Sequence, residues 1–413
     1  MRIPCSDEIV LCDEMIDIRP VLRHPFVQRL GHIKQLGQTS LVFLGGKHTR
    51  LEHSLGTFAL AKKQCANWLR RGLIKADDAR ILCLFALLHD IGHFPFSHAF
   101  EPLMEYGHHK NGSDLLFAMR EQIEACGVEA SAIEHCMREL SPLSAAVHHG
   151  LLGWDKIDYM IRDAHHTGFG GMPETKFIMA HTLPCDGKVV VEKTALHEIL
   201  QLKNFMYGMY MRIYERSKVA YARRLMQKMY ERMAATDVFL LETLGSSTDT
   251  EFESHCMASH DEELQYHYQT YLGARNLPQT GLIICLEGLG RYYERSDKTM
   301  RAVVELDADA FQELSGKVTW KTAARLEANC AAVANCRSRD VFIQPSRNPR
   351  RYTLPATIVK DGDTLRNLSE IVPPDIDQDL AKRVQLIRVG TSDPKALETI
   401  FMRSGDIVKT LGE

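Results

Sequence analysis

The clearest hydrophobic signal along the chain is ILCLFALL, residues 81–88, an unbroken apolar run. A run with no polar face predicts an element buried on all sides. Asp77 and Asp78 precede it, where carboxylates favour a helix N-terminus, and Gly92 and Pro95 end it. Helical patterning fills almost all of residues 1–235. SDLLFAMREQIEAC reads as a helix capped by Asn111 or Ser113, and SAIEHCMREL as another. Pro142 suits the first turn of SPLSAAVHH, which Gly150 ends. WDKIDYMIRDAHH follows and stops near Gly168, CDGKVVVEK reads as a turn and strand, and Leu196 to Met233 as a long helical stretch with a kink at Gly208.

The pattern changes after about residue 236. LIICLEGLGRYY and WKTAARLEANCAAVA read as helices, whereas RAVVELD, DVFIQPS, YTLPATIV and VQLIRVG look like strands. NPRRY and DGD supply turns, and SSTDTE at 246–251 reads as a linker. The expectation is a mainly α protein: a helical core over residues 1–235 and a smaller α+β lobe over 236–413, serving oligomerisation or regulation.

Composition narrows the class. With 413 residues, 45% apolar and 25% charged, the chain is long enough for more than one core. A net charge of −3 gives no global attraction to nucleic acid or anionic lipid, so an anionic ligand needs a local cluster. The sequence shows no membrane span and no secretory signal, and its eleven cysteines lack CxxC pairs. These features predict reduced thiols and a cytoplasmic protein.

The 19 histidines change the picture, because many fall between His48 and His166. Arg50 and His53 in KHTRLEHSLG share a helix face. His89 and Asp90 end the apolar run in LLHDIGHFPFSH, and Asp155 opens WDKIDYMIRD. Two imidazoles and two carboxylates from three helices suit a divalent metal that accepts mixed N and O ligands. The bland reading of His89–Asp90 is a hydrogen-bonded pair, but eight preceding apolar residues bury it, and a buried carboxylate needs a metal or a cation such as Arg50. His93, His98, Glu101 and His109 follow closely, and histidine moves protons near neutral pH. Lys156, Tyr159 and Asp163 share one face of the helix carrying Asp155.

These phrases resemble the HD-domain phosphohydrolases, specifically the deoxynucleoside triphosphate triphosphohydrolases, which include bacterial dGTPases and the animal enzyme joining a sterile alpha motif to an HD domain. The resemblance rests on HPFVQRLGHIKQLG, KHTRLEHSLG, LLHDIGHFPFSHAFE, HKNGS and WDKIDYMIRDAHHTG, and more thinly on RDVFIQPS and IVKDGDTLRNLSEIVPP. It implies that His53, His89, Asp90 and Asp155 ligate a divalent ion, whether Mn, Fe, Ni, Zn, Co or Mg. It implies that His109, held by Glu101, protonates the leaving oxygen, with His93 and His98 near the phosphates. Arg50 and Lys156 would contact phosphates, Gln35 and Leu36 the sugar, and Tyr159, Asp163, Tyr210 and Tyr214 would complete the pocket. The implied reaction is hydrolysis of a dNTP to deoxynucleoside and triphosphate, in a homo-oligomer that can bind a regulatory nucleotide.

Two residues depart from the family pattern. Met206 stands where relatives carry an arginine, with Arg212 or Arg216 as substitutes, and Glu101 replaces an aspartate. Met206 favours a rival, an HD-domain nucleotidase or phosphodiesterase acting on another phosphate ester. A second rival is a nucleotide-sensing or nucleic-acid-binding protein without activity, using the five arginines of residues 337–352. The bland reading of that run is a solvated strand edge.

Overall fold

In the computed structural model, the described residues are 1–413 apart from 143, 149–150, 172, 186, 237–242, 274, 294–300, 347–356 and 373–384. The site rests on three helices. Helix α1, Arg50–Arg70, opens with a capping box: Thr49 and Glu52 each accept the other's backbone N–H. Helix α2, Ala76–Leu88, is buried at every position from Leu82 to Leu88, as its apolar run requires. It packs against α1. Helix α3, His108–Ala118, begins before the expected caps. Asn111 lies inside it because its amide is drawn away to the carbonyls of Gly92 and Gly245, and Ser113 bonds back to His109 O.

Helix α4, Trp154–Thr167, ends on Gly168 at φ 71°, the left-handed stop that glycine allows. Trp154 packs on Trp68 at 5.4 Å between ring centroids, fixing the start of α4 against the end of α1. Helices α5, Leu196–Met209, and α6, Ser217–Thr236, are joined by a π-helical turn over Tyr210–Tyr214. The break thus falls beyond Gly208, not at it. Gly208 instead allows close packing, since a Cβ there would lie 2.8 Å from Phe169 Cζ.

The C-terminal part is α+β, and two readings of it are corrected. LIICLEGLGRYY is not a helix: its first half lies in strand β3, Gln279–Leu286. The strand sits between β4 (Ala302–Leu306) and β8 (Leu386–Thr391) in a sheet ordered β4-β3-β8-β5, with β5 at Val341–Gln344. A strand buried on both faces shows no alternation and reads like a buried helix. SSTDTE is not a linker: Thr248 and Glu251 form the capping box of helix α7, Asp249–Ala258. Helix α8 spans Glu262–Tyr271, and α9 spans Ala323–Ala334 within the expected WKTAARLEANCAAVA.

A second sheet runs β1-β2-β6-β7, from Thr182–Cys185, Lys188–Glu192, Ile358–Asp361 and Thr364–Asn367. The DGD turn links β6 to β7, with Gly362 at φ 60°. The NPRRY turn and the start of YTLPATIV lie outside the described residues. β2 pairs in parallel with β6, and Val359 and Leu368 enter the core of the N-terminal helices. All eleven cysteines are unpaired. Among the described residues no helix is long and apolar enough to cross a membrane.

Candidate active site

α1, the end of α2 and the first turn of α4 bring His53, His89, Asp90 and Asp155 together. His53 Nε2 lies 3.1 Å from Asp155 Oδ1 and 3.5 Å from Asp90 Oδ2. His89 Nε2 lies 3.5 Å from Asp90 Oδ1 and 3.7 Å from Asp155 Oδ1. The helix stops at Leu88, which lets the consecutive His89 and Asp90 side chains converge. Both imidazoles are anchored at Nδ1: His53 on Asp158 Oδ2 at 2.8 Å, His89 on Ala86 O at 2.9 Å. Each Nδ1 therefore carries the proton, and the two Nε2 lone pairs meet at 3.3 Å. Two acceptors at that distance, flanked by two carboxylates, need a cation between them. The residues fit a divalent metal.

In metal-free protein a proton takes that role. Burial lowers the His53 imidazole, but the hydrogen bonds that Asp155 and Asp158 accept from it outweigh this and push its pKa up to about 10. Burial pushes the Asp90 carboxyl up, yet Arg50, His89 and His53 together hold it well below the usual carboxylate range. Asp155 behaves alike, with His53 and His89 outweighing its burial.

A supporting shell was not read from the sequence. Asp158 receives His53 and is itself held by Arg162, at 3.0 Å from Nε and 2.8 Å from Nη2. Arg162 in turn bonds Pro4 O and Ser6 Oγ. Gly56 makes room for this pair, because a Cβ there would fall on Asp158 Oδ1 and Arg162 Nη2. The spacing D155–D158–R162, with an i,i+4 ion pair, was the available signal.

Arg50 is buried, bonded to Asp90 and, at 2.9 Å, to Ser97 Oγ. Beyond it lie the downstream histidines. His98 Nδ1 reaches Glu101 Oε2 at 2.9 Å, and the other Glu101 oxygen takes His108 Nδ1. The expected pairing of Glu101 with His109 is therefore corrected: the partner is His108. Helix α3 starts at His108, which turns that ring toward Glu101, while His109 faces His148, 5.8 Å between centroids. Burial raises the Glu101 carboxyl, but hydrogen bonds from His108 and His98 hold it far below its ordinary range. Burial, then Arg50, keeps His93 neutral, and burial with the neighbouring His108 lowers His109. His93, His98, Glu101 and His108 also group closely enough to suggest a second metal. Their geometry opposes it: His93 and His108 stack at 4.0 Å with planes 28° apart, so their in-plane lone pairs do not converge.

On the other side stands a tyrosine wall. Tyr159 and Tyr210 hydroxyls lie 3.5 Å apart, and the π turn brings Tyr214 within 5.3 Å of the Tyr210 ring. Asp163 is clamped between Tyr214 OH at 2.6 Å and His48 Nε2 at 2.8 Å. Gln35 donates its backbone N–H to His48 O, and its buried Oε1 has no partner among the described residues. Leu36 is buried next to it. Lys156 Nζ lies 4.0 Å from Met206 Sδ. Of the suggested substitutes for the missing arginine, Arg212 is exposed and Arg216 stacks on Phe43 at 5.7 Å.

With this geometry in view, residues 50–153 match the family model described as the HD domain. Residues 50–153 thus resemble an HD domain. The match ends two residues before Asp155, the fourth residue of the cluster described above. This HD domain also has relatives along the sequence. The chain is 28% identical over 213 residues to the uncharacterized protein YwfO of Bacillus subtilis, covering 50% of this chain and 49% of that one. It is 36% identical over 146 residues to the deoxynucleoside triphosphate triphosphohydrolase SAMHD1 of Danio rerio, covering 30% of this chain and 22% of that one. The chain thus spans half or less of these curated relatives. A crystal structure of a phosphohydrolase from Bacteroides thetaiotaomicron shares the fold, with a TM-score of 0.67 at 21% identity over 94% of this chain and 100% of that one.

Proposed function

We infer that the chain hydrolyses a phosphate ester at the HD centre, and that its substrate is a deoxynucleoside triphosphate, released as deoxynucleoside and inorganic triphosphate. The observation that supports this most is the meeting of the His53 and His89 Nε2 atoms between Asp90 and Asp155, with Tyr159, Tyr210 and Tyr214 grouped nearby. His53, His89, Asp90 and Asp155 would hold a divalent ion, which would supply Lewis-acid activation of water and neutralise phosphate charge.

The chain's own groups do the rest. Arg50, fixed by Asp90 and Ser97, presents a positioned guanidinium to a phosphate without losing freedom on binding. Neutral His93 and the His98 ring line the same space, 3.5 Å apart at Nε2. His108, oriented by Glu101, replaces His109 as the proton donor to the 5′ oxygen when its bond to the α-phosphorus breaks. Gln35 Oε1 is an unpaired acceptor suited to a sugar hydroxyl, and Leu36 crowds a 2′-hydroxyl. The Danio rerio relative, whose name states this activity, supports the reading over the matched stretch.

Met206 supports the second reading, a different phosphate ester. Its thioether, in place of a cation, faces Lys156, so a γ-phosphate has one positive partner fewer. Incubation with dNTPs, NTPs and monophosphates, with products resolved by chromatography, separates the two. Release of triphosphate and deoxynucleoside is expected. Hydrolysis of monophosphates alone would replace the first reading with the second.

A further inference from the structure

Two loops that line the site are strained against each other, and one distant carboxylate joins them. Phe96 and Ser97 occupy the left-handed region consecutively, at φ 54° and 61°, although neither is glycine. Their turn delivers Ser97 to Arg50 and is followed by His98. The facing loop, residues 34–37, carries Gln35 and Leu36. Gly37 has φ 46°, and a Cβ on it would fall on Phe96 O, so the two backbones touch.

Asp249, from the first turn of α7, lies between them and is 2% exposed. Its Oδ1 accepts Phe96 N–H at 2.7 Å, and its Oδ2 accepts Lys34 N–H at 3.0 Å. Lys34 Nζ lies 3.4 Å from the same carboxylate and sits over the Phe96 ring at 5.2 Å. Ser97 Oγ closes the circuit on Lys34 O at 2.8 Å. The segment before α7 grips the same region. Arg29 bonds Ser247 O at 2.7 Å while holding His93 O at 2.8 Å, and Asn111 bridges the carbonyls of Gly92 and Gly245.

We propose that Asp249 is a positioning residue that sets the distance between the phosphate-facing turn 94–98 and the 34–37 loop, and so decides which sugar the site accepts. The second clause rests on the sugar-contacting role given above to Gln35 and Leu36. The clamp itself rests on geometry alone. No atom of Asp249 belongs to the metal set, so its loss leaves the ion in place. A carboxylate is required because both ligands are backbone N–H donors. An asparagine keeps one acceptor and turns an N–H₂ toward the other donor.

The test uses the full chain with Asp249→Asn and Asp249→Ala. Hydrogen exchange is followed at peptides covering 33–37 and 94–99, with metal content measured alongside. Faster exchange in both loops, graded Ala above Asn above wild type, with metal content unchanged, is expected. Unchanged exchange there, or faster exchange throughout the chain, would overturn the clamp. On nucleotides, KM for dNTP should rise at least 10-fold while kcat changes less, and the preference for dNTP over NTP should fall. A preference that stays fixed while both loops loosen would overturn the sugar-selecting role. Wild-type protein without dNTP hydrolysis would sink the substrate reading instead, and the exchange experiment would still decide the clamp.

Discussion

His53 and His89 turn their Nε2 atoms toward each other at 3.3 Å because both Nδ1 atoms are committed elsewhere, to Asp158 and to Ala86 O. The lone pairs have no direction left but the shared centre. Purified protein should therefore carry about one divalent ion per chain, as four-ligand sites do. Asp155→Asn and His53→Ala should lose it by elemental analysis. Chelation should abolish hydrolysis and lower the melting temperature, since an ion at about 100 times its Kd contributes ~2.7 kcal/mol. Full metal content in His53→Ala would refute the ligand set.

Asp158 acts on the ion only through His53. Asp158→Ala should weaken metal affinity by about 10–100-fold, the usual effect of losing a ligand's partner. Gly56→Ala should do similar harm from the opposite side, because its methyl would displace the Asp158–Arg162 pair. Competition with a chelator of known affinity measures both. Wild-type affinity in Asp158→Ala would show that Ala86 and the carboxylates suffice to orient the rings.

His108 and His109 are neighbours with different partners, which makes them separable. His108→Ala should lower kcat by about 10²–10⁴, the range for loss of a general acid, with little change in metal content. Glu101→Gln should lower it less, because a neutral amide still accepts from His108. His109→Ala should fall well short of His108→Ala. The opposite order would return the proton-donor role to His109.

Away from the site, α8 carries a second pH-sensitive group. Burial, then Lys228 and Arg224, lowers the His267 pKa to about 3. Unfolded His titrates near 6.5, so between those values the unfolded chain binds the extra proton. Stability from this group is present above about pH 6.5 and is lost as pH falls toward 3, at up to ~1.4 kcal/mol per pH unit. Denaturant titrations from pH 7 to 5 should show that slope, and His267→Phe, set against Phe342, should flatten it. An identical slope in the variant would place the sensitivity elsewhere.

The histidines and carboxylates of the HD centre were legible in the sequence because their residue types and order carry the chemistry. The apolar run ahead of His89 also announced its burial. Asp158, Arg29 and Asp249 were not legible, because what singles each out is a contact that only the fold creates. Arg29 reaches Ser247, 218 positions away, and no local pattern encodes that. Glu101 was placed correctly beside a histidine, but the choice between His108 and His109 depends on where α3 begins, which is the least readable property of a helix. LIICLEGLGRYY failed for another reason: full burial erases the alternation that distinguishes strand from helix.

The parallel pairing of β2 with β6 has a consequence for how the molecule is made. Lys193 and Asp361, whose ion pair lies beside this junction, are 168 residues apart. A ribosome that has released the whole helical core has therefore not yet synthesised the strand that covers its edge. Until β6 arrives, Val190 and Val191 sit on a hairpin margin with unmet backbone groups, a template for pairing with another chain. Completion of this sheet is thus a late event in biosynthesis, and fragments ending near residue 235 should emerge as aggregates.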